Sequence, residues 1–287
     1  MALPTFFIIG AAKCGTTSLH SYLDQHPQIQ MSAVKETHFF SGPENGIPYP
    51  ADRVSRLEDY ERLFDPGARV RGEASPSYTA HPRRRGVPER IRELVPEARF
   101  IYLVRDPVDR TVSHYLHRVA IAGERQPLSD ALGDLSDPFS PYVAPSRYAT
   151  QLKLYLTHFP QERFLVVDQV DLLGDRSQTL RRIFTFLEVD SEFQSTGFAE
   201  EHGTTRDRRS YGRGWVELMN RAGASPLRLL PPRLRHAARR RVERTLWPPL
   251  QAPALDDDLR GRLQQLYADE TAGLRALTGQ AFSTWSV

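Results

Sequence analysis

The sequence predicts an α/β fold in three layers, a central parallel sheet flanked by helices, and three observations carry it. The stretch TFFII at 5–9 is apolar throughout, with β-branched and aromatic members, as suits a strand covered on both faces. RFIYLV at 99–104 and RFLVVD at 163–168 repeat that pattern. Each of these stretches is followed by a segment with helical periodicity, and alternating strands and helices imply a parallel sheet. In such sheets ligands bind beyond the carboxyl ends of the strands.

Taken in order, the first strand runs into the Gly-rich turn GAAKCG and then TTSLHSYLDQHP. Leu19, Tyr22 and Leu23 fall on one helical face, and Pro27 bounds the segment. The second strand ends at Arg105-Asp106-Pro107, and Pro107 suits the first turn of a helix through VDRTVSHYLHRV. After the third strand, Leu180, Ile183, Phe184 and Leu187 form the apolar face of a helix starting at Ser177. SGPENGIPYPADR and SDPFSPYVAPSRY read as loops, either plain surface or walls of a site. PLRLLPPRLRHAARRRVERTLWPPL reads as short helices with a basic face, and LDDDLRGRLQQLYADETAGLRALTG as a last helix. No repeat or linker divides the chain, so residues 1–287 are expected to form one domain. Its core would lie at about 1–195, and the helical, Arg-rich part at about 205–287 would complete the site.

Composition narrows the function classes. Hydrophobic residues at 40% and charged residues at 25% are ordinary for a soluble globular protein. Lys+Arg 38 against Asp+Glu 35, a net charge of +3, is too small to argue for nucleic acid. The single cysteine, Cys14, excludes an internal disulfide framework and fits a reducing, cytoplasmic location. No apolar run approaches the ~18 residues of a membrane span. The short apolar start has no preceding Lys or Arg, so no signal peptide is expected.

The turn at 10–18 carries the chemistry. Gly10, Gly15 and Thr17 have the spacing of the G-x-x-x-x-G-K-[ST] phosphate loop, but Thr16 stands in the lysine position and Lys13 precedes the glycine. Backbone N–H groups at a helix start bind anions, Thr16, Thr17 and Ser18 add hydroxyls, and Lys13 adds a point charge. The reading is a phosphate site without γ-phosphate cleavage. Asp168, at a strand end, is the possible Mg²⁺ carboxylate that a triphosphatase would need. Arg105 at a strand end, with Ser113 about 9 Å along the next helix, could grip a second phosphate. Alternatively Arg105 pairs with Asp106 or Asp109 and Ser113 faces solvent. In SAVKETHFFS, Glu36 and His38 would share a face of an extended segment and could do acid–base work. Alternatively Lys35 and Glu36 are solvated charges and Phe39 and Phe40 are core.

Together IIGAAKCGTTSL, FIYLVRDPVDRTVSHY and VKETHFF resemble the sulfotransferases that use 3'-phosphoadenosine 5'-phosphosulfate (PAPS). RGEASPSYTAHP, RYATQLKLYLTHFPQERFLVVDQVDLLGD and the closing LTGQAFSTW extend the resemblance along nearly the whole chain. VKETHFF is similar to the carbohydrate-type branch, which includes heparan sulfate sulfotransferases. The resemblance implies a fold like that of P-loop-containing nucleotide hydrolases and sulfuryl transfer from PAPS to an acceptor hydroxyl, with no metal. It implies that Lys13, Cys14, Gly15, Thr16, Thr17 and Ser18 hold the 5'-phosphosulfate, and Arg105 and Ser113 the 3'-phosphate. It makes Glu36 the base, with His38 in support. RRSYGRGW is loosely similar to the family's C-terminal cofactor clamp, giving Arg209, Tyr211, Gly212 and Arg213 as further contacts. The arginines of 206–244 line an acidic-acceptor groove or form a solvated face. A glycan, glycolipid or natural product is the expected acceptor; the small-phenol branch has a K-S-G-T-T loop and a catalytic histidine where this chain has KCGTT and Glu36. The competing readings are an atypical P-loop kinase or triphosphatase and a non-enzymatic polyanion-binding module.

Overall fold

The computed structural model describes residues 2–42, 53–199, 253 and 255–287. Its centre is a five-stranded, all-parallel sheet of order β2-β3-β1-β4-β5. The strands are β1 (Phe6–Gly10), β2 (Ile29–Met31), β3 (Val70–Ala74), β4 (Arg99–Val104) and β5 (Phe164–Asp168). The chain lays β2 and β3 on one side of β1 and β4 and β5 on the other, so the topological switch falls at β1. Phe6, Phe7, Ile8 and Ile9 are all at most 1% exposed, the burial on both faces that the unbroken apolar run requires. Phe7 stacks on Phe100 and meets the ring of Phe40 edge-on.

Helices cover the sheet where their periodicity places them. α1 (Thr16–Leu23) buries Leu19, Tyr22 and Leu23. α2 (Leu57–Glu61) and α3 (Val87–Leu94) flank β3 in sequence. α4 (Pro107–Ile121) begins at Pro107 as expected, and the Asp106 carboxylate caps it by accepting from Val108 N and Asp109 N at 2.9 and 3.1 Å. α5 (Leu128–Leu132), α6 (Tyr148–Leu156) and α7 (Gln169–Gly174) follow. α8 (Arg176–Phe186) starts one residue before the expected Ser177 and buries Leu180, Ile183 and Phe184. α9 (Asp257–Thr278) packs Leu259, Leu263 and Tyr267 against Val108 and Leu116 of α4. The hydroxyls of Tyr267 and Thr111 meet at 2.8 Å, fixing α4 from behind.

Two strands escaped the sequence reading. β2 is three residues long, and β3 reads Val-Arg-Gly-Glu-Ala, with a charged residue buried where apolar periodicity expects none. The segment holding Glu36 and His38 is also not extended. Both residues have positive φ, 62° and 53°, so it is a loop beyond β2, and alternation along a strand does not relate them. The Arg-rich stretch 206–244 lies outside the described residues, as do Arg209, Tyr211, Gly212, Arg213 and most of the Pro/Gly loop at 41–53. Among the described residues no helix is long and apolar enough to cross a membrane.

Candidate active site

The turn from β1 to α1 is shaped by its backbone. Gly10 (φ 146°) lies so close to Thr79 that a Cβ there would stand 2.0 Å from Oγ1. Gly15, in the left-handed region at φ 94°, is the N-cap of α1, and no side chain caps the helix, which leaves N–H groups of its first turn for an anion. Lys13 also takes positive φ, at 77°. The loop is tied by Ala11 N donating to Leu103 O at 2.5 Å and Cys14 N to Ala11 O at 3.2 Å. The Cys14 side chain points inward: it is fully buried, 3.7 Å from the Tyr148 hydroxyl, and burial pushes its thiol up to about 11. Cys14 therefore offers the loop only its backbone. Ser18 is buried too, whereas Thr17 is exposed.

The second wall is the loop after β2, and β3 shapes it. Glu36 N donates to Ala74 O at 3.0 Å, and His38 N to Ser75 Oγ at 3.3 Å. The His38 Nδ1 lies 2.8 Å from Ser77 Oγ. Between them, the Thr37 hydroxyl donates to the carboxylate of Glu73 at 2.6 Å. Glu73 is completely buried and also accepts from Ser75 Oγ at 2.6 Å, Tyr78 OH at 2.7 Å and Tyr60 OH. Burial pushes its carboxyl up, and these hydroxyls oppose the shift. Lys35 forms an ion pair with Glu36, whose side chain is 44% exposed. Three of the five non-glycine residues at positive φ among the described residues are Lys13, Glu36 and His38. Such backbone costs on the order of 1–3 kcal/mol per residue and concentrates at functional sites.

Both walls open on one cleft of about 320 Å³ at the carboxyl ends of β1, β2 and β3, a size typical of small-molecule sites. It brings together Lys13, Thr16, Thr17, Glu36 and His38. Cys14, Gly15, Ser18, Arg105 and Ser113 do not line it. Arg105 Nη2 is paired with Asp109 at 2.9 Å, the structural alternative weighed from the sequence, while Ser113 is buried rather than solvent-facing. Pro141 and Pro145 of the SDPFSPYVAPSRY loop supply another wall. The sequence reading missed Arg83, Arg84, His114, His117 and Arg118, which also line the cleft. His114, His117 and Arg118 stand at i, i+3 and i+4 on α4, a polar stripe that helical spacing could have revealed.

Asp168 is otherwise engaged. It accepts from Val170 N at 3.2 Å and from the Trp285 indole at 2.8 Å, and burial pushes its carboxyl up. The C-terminal LTGQAFSTW thus closes over the end of β5: Gln280 donates to Val166 O at 3.0 Å, and Phe282 stacks on Trp285. Among the described residues no three His, Cys, Asp or Glu side chains gather as a metal site would need.

The chain thus has a parallel sheet with a Gly-rich turn after its switch strand, and a lysine and a carboxylate across one cleft. Residues 3–205 match the sulfotransferase domain family, and the chain belongs to that family. It is 28% identical over 246 residues to carbohydrate sulfotransferase 15 of Mus musculus, covering 65% of this chain and 44% of that protein. It is 29% identical over 191 residues to heparan sulfate glucosamine 3-O-sulfotransferase 3B1 of Homo sapiens, covering 64% and 46%. The chain therefore spans less than half the length of either relative. The crystal structure of a sulfotransferase from Alicyclobacillus acidocaldarius superposes over 100% of both chains, with TM-score 0.73 and 29% identity.

Proposed function

We propose that this protein transfers the sulfuryl group of PAPS to a hydroxyl of a carbohydrate acceptor, releasing adenosine 3',5'-bisphosphate. The observation that carries the reading is the meeting of Lys13, on an uncapped helix start, with Glu36 in one cleft. In the transfer, the acceptor oxygen forms a bond to sulfur in line with the bond from sulfur to the 5'-phosphate oxygen. That second bond breaks, and its electron pair stays on the phosphate. Charge grows there, and Lys13 with the loop N–H groups stabilises it as it develops. The acceptor's proton passes to the Glu36 carboxylate. Lys35 holds that carboxylate from one side. His38, fixed by Ser77, borders the acceptor space.

Arg105 and Ser113 are offered as the 3'-phosphate contacts, the Asp109 pairing giving way to the ligand. The carbohydrate assignment draws on the relatives named above. The basic wall of Arg83, Arg84 and Arg118 suits a sugar that carries negative charge. Calorimetric titration with adenosine 3',5'-bisphosphate tests the donor site, and absence of binding removes the proposal. Transfer of labelled sulfuryl from PAPS to a panel of neutral and anionic glycans then tests the acceptor class.

A further inference from the structure

One side chain of the cleft is explained neither by the loop motif nor by the base segment. His114 lies one helical turn beyond Arg110 on α4. Arg110 is completely buried directly behind the loop, and every partner it has among the described residues is neutral. Its Nε donates to Ser146 Oγ at 2.5 Å and its Nη2 to Tyr142 O. Its Nη1 faces Ala12 O at 3.5 Å and the Nδ1 of His114 at 3.3 Å.

A guanidinium has donors only and does not give up its proton in a protein. The ring nitrogen facing it must therefore accept. Nδ1 of His114 carries no proton, and the neutral ring carries its proton on Nε2. The ring stands edge-on to Tyr142 and to His117, which hold its plane. With Nδ1 occupied, Nε2 has no hydrogen-bond partner among the described residues, and the ring lines the cleft with Lys13 and Glu36. Burial, then the charges of Arg110, His117, Lys13 and Arg118, hold the imidazole well below its usual range, so it stays neutral at physiological pH.

We propose that His114 is a catalytic residue of this chain: a neutral imidazole whose Nε2–H, fixed by Arg110 in one tautomer, donates to a non-bridging oxygen of the sulfuryl group during transfer. This rests on the sulfotransfer reading. His114 gives up no proton; the acceptor's proton goes to Glu36 as above. A pre-oriented neutral donor stabilises charge on the group in transit without adding a second cation beside Lys13. The same constraint removes His114 as a base, because one ring nitrogen is blocked and the other is already protonated.

Two variants and one spectrum test this. His114→Phe keeps a ring and loses the donor, and kcat is expected to fall about 10²-fold. Acceptor KM and adenosine 3',5'-bisphosphate affinity should stay close to wild type. His114→Gln restores an N–H near the Nε2 position and should recover most of the lost rate. A raised acceptor KM at unchanged kcat in His114→Phe overturns the proposal in favour of an acceptor-binding role. Wild-type kinetics in that variant overturns any role. Independently of turnover, long-range ¹H–¹⁵N spectra of histidine-labelled protein should show His114 protonated at Nε2 only at neutral pH. An Nδ1-protonated ring or an imidazolium overturns the tautomer argument. If the wild-type protein binds no adenosine 3',5'-bisphosphate, the sulfotransfer reading itself falls, whatever the spectrum shows.

Discussion

The turn at 10–18 and the loop at 35–41 face each other across the cleft, yet they are built in opposite ways. The first takes its turn from its own backbone, a strand end, a left-handed Gly15 and the start of α1, and its remote ties are few: Gly10 against Thr79, Ala11 N to Leu103 O and Arg110 at Ala12 O. The second has little local support. Its backbone and side chains are held by residues 73–78 through Ala74 O, Ser75 Oγ, Ser77 Oγ and Tyr78 OH, with Glu73 at the centre. Arg90 closes it from another side by donating to Phe40 O at 2.9 and 2.6 Å. Phe40 anchors it in the core against Phe7, Tyr60 and Tyr78. A locally built loop tolerates change elsewhere in the molecule. A remotely built one inherits the stability of its support.

The largest effects should come from the groups at the chemistry. Lys13→Ala is expected to lower kcat about 10³-fold, while the thermal midpoint moves little. A large fall in that midpoint would mean that the turn is not self-supporting, and the contrast drawn above would fail. Glu36→Gln should lower kcat by about 10²–10³-fold and leave adenosine 3',5'-bisphosphate affinity unchanged, as calorimetry would register. Wild-type turnover in that variant would move the base elsewhere, with His38 next.

Glu73 separates the two loops most directly. Glu73→Ala strands the hydroxyls of Thr37, Ser75, Tyr60 and Tyr78 and opens a cavity, at a cost of about 2–4 kcal/mol in urea unfolding. Its kcat should fall by about 10-fold or more through misplacement of Glu36, with donor affinity nearly intact. Equal loss of donor affinity would show that both walls share one support.

The smallest effect is in pH dependence. Burial raises the folded pKa of Glu73 above the ordinary glutamate range, so the folded state binds the proton more tightly than the unfolded one. Its favourable contribution is present below that range and is lost as pH rises through the folded pKa. Denaturation measured upward from about pH 4.5 should therefore show wild type losing stability relative to Glu73→Gln. His114 works in the opposite sense. Its lowered pKa costs stability as pH falls below 6.5, and His114→Gln should lessen that loss.

How much was legible follows from the same division. β1, β4 and β5 announce themselves because each is buried on both faces, and α1, α4 and α8 because one face is. β3 does not, because its burial of Glu73 depends on four hydroxyls, three of them from other segments. Pairing Glu36 with His38 by strand alternation named the right wall for the wrong reason, since both residues sit at positive φ and reach the cleft by separate turns. Helical spacing could have placed His114 on the cleft side of α4, but not its contact with Arg110, which reads in sequence as one more helical charge.

The sequence by itself determined the parallel α/β order, the Gly-rich turn with its displaced Lys13, and the family, because apolar runs and glycine spacing act through neighbours along the chain. Only the tertiary structure decided that Lys13 and Glu36 face one space, that Arg105 is paired with Asp109, and that the Nδ1 of His114 faces Arg110. Those facts depend on contacts between residues tens of positions apart and on the burial of charge, and neither is written in local pattern.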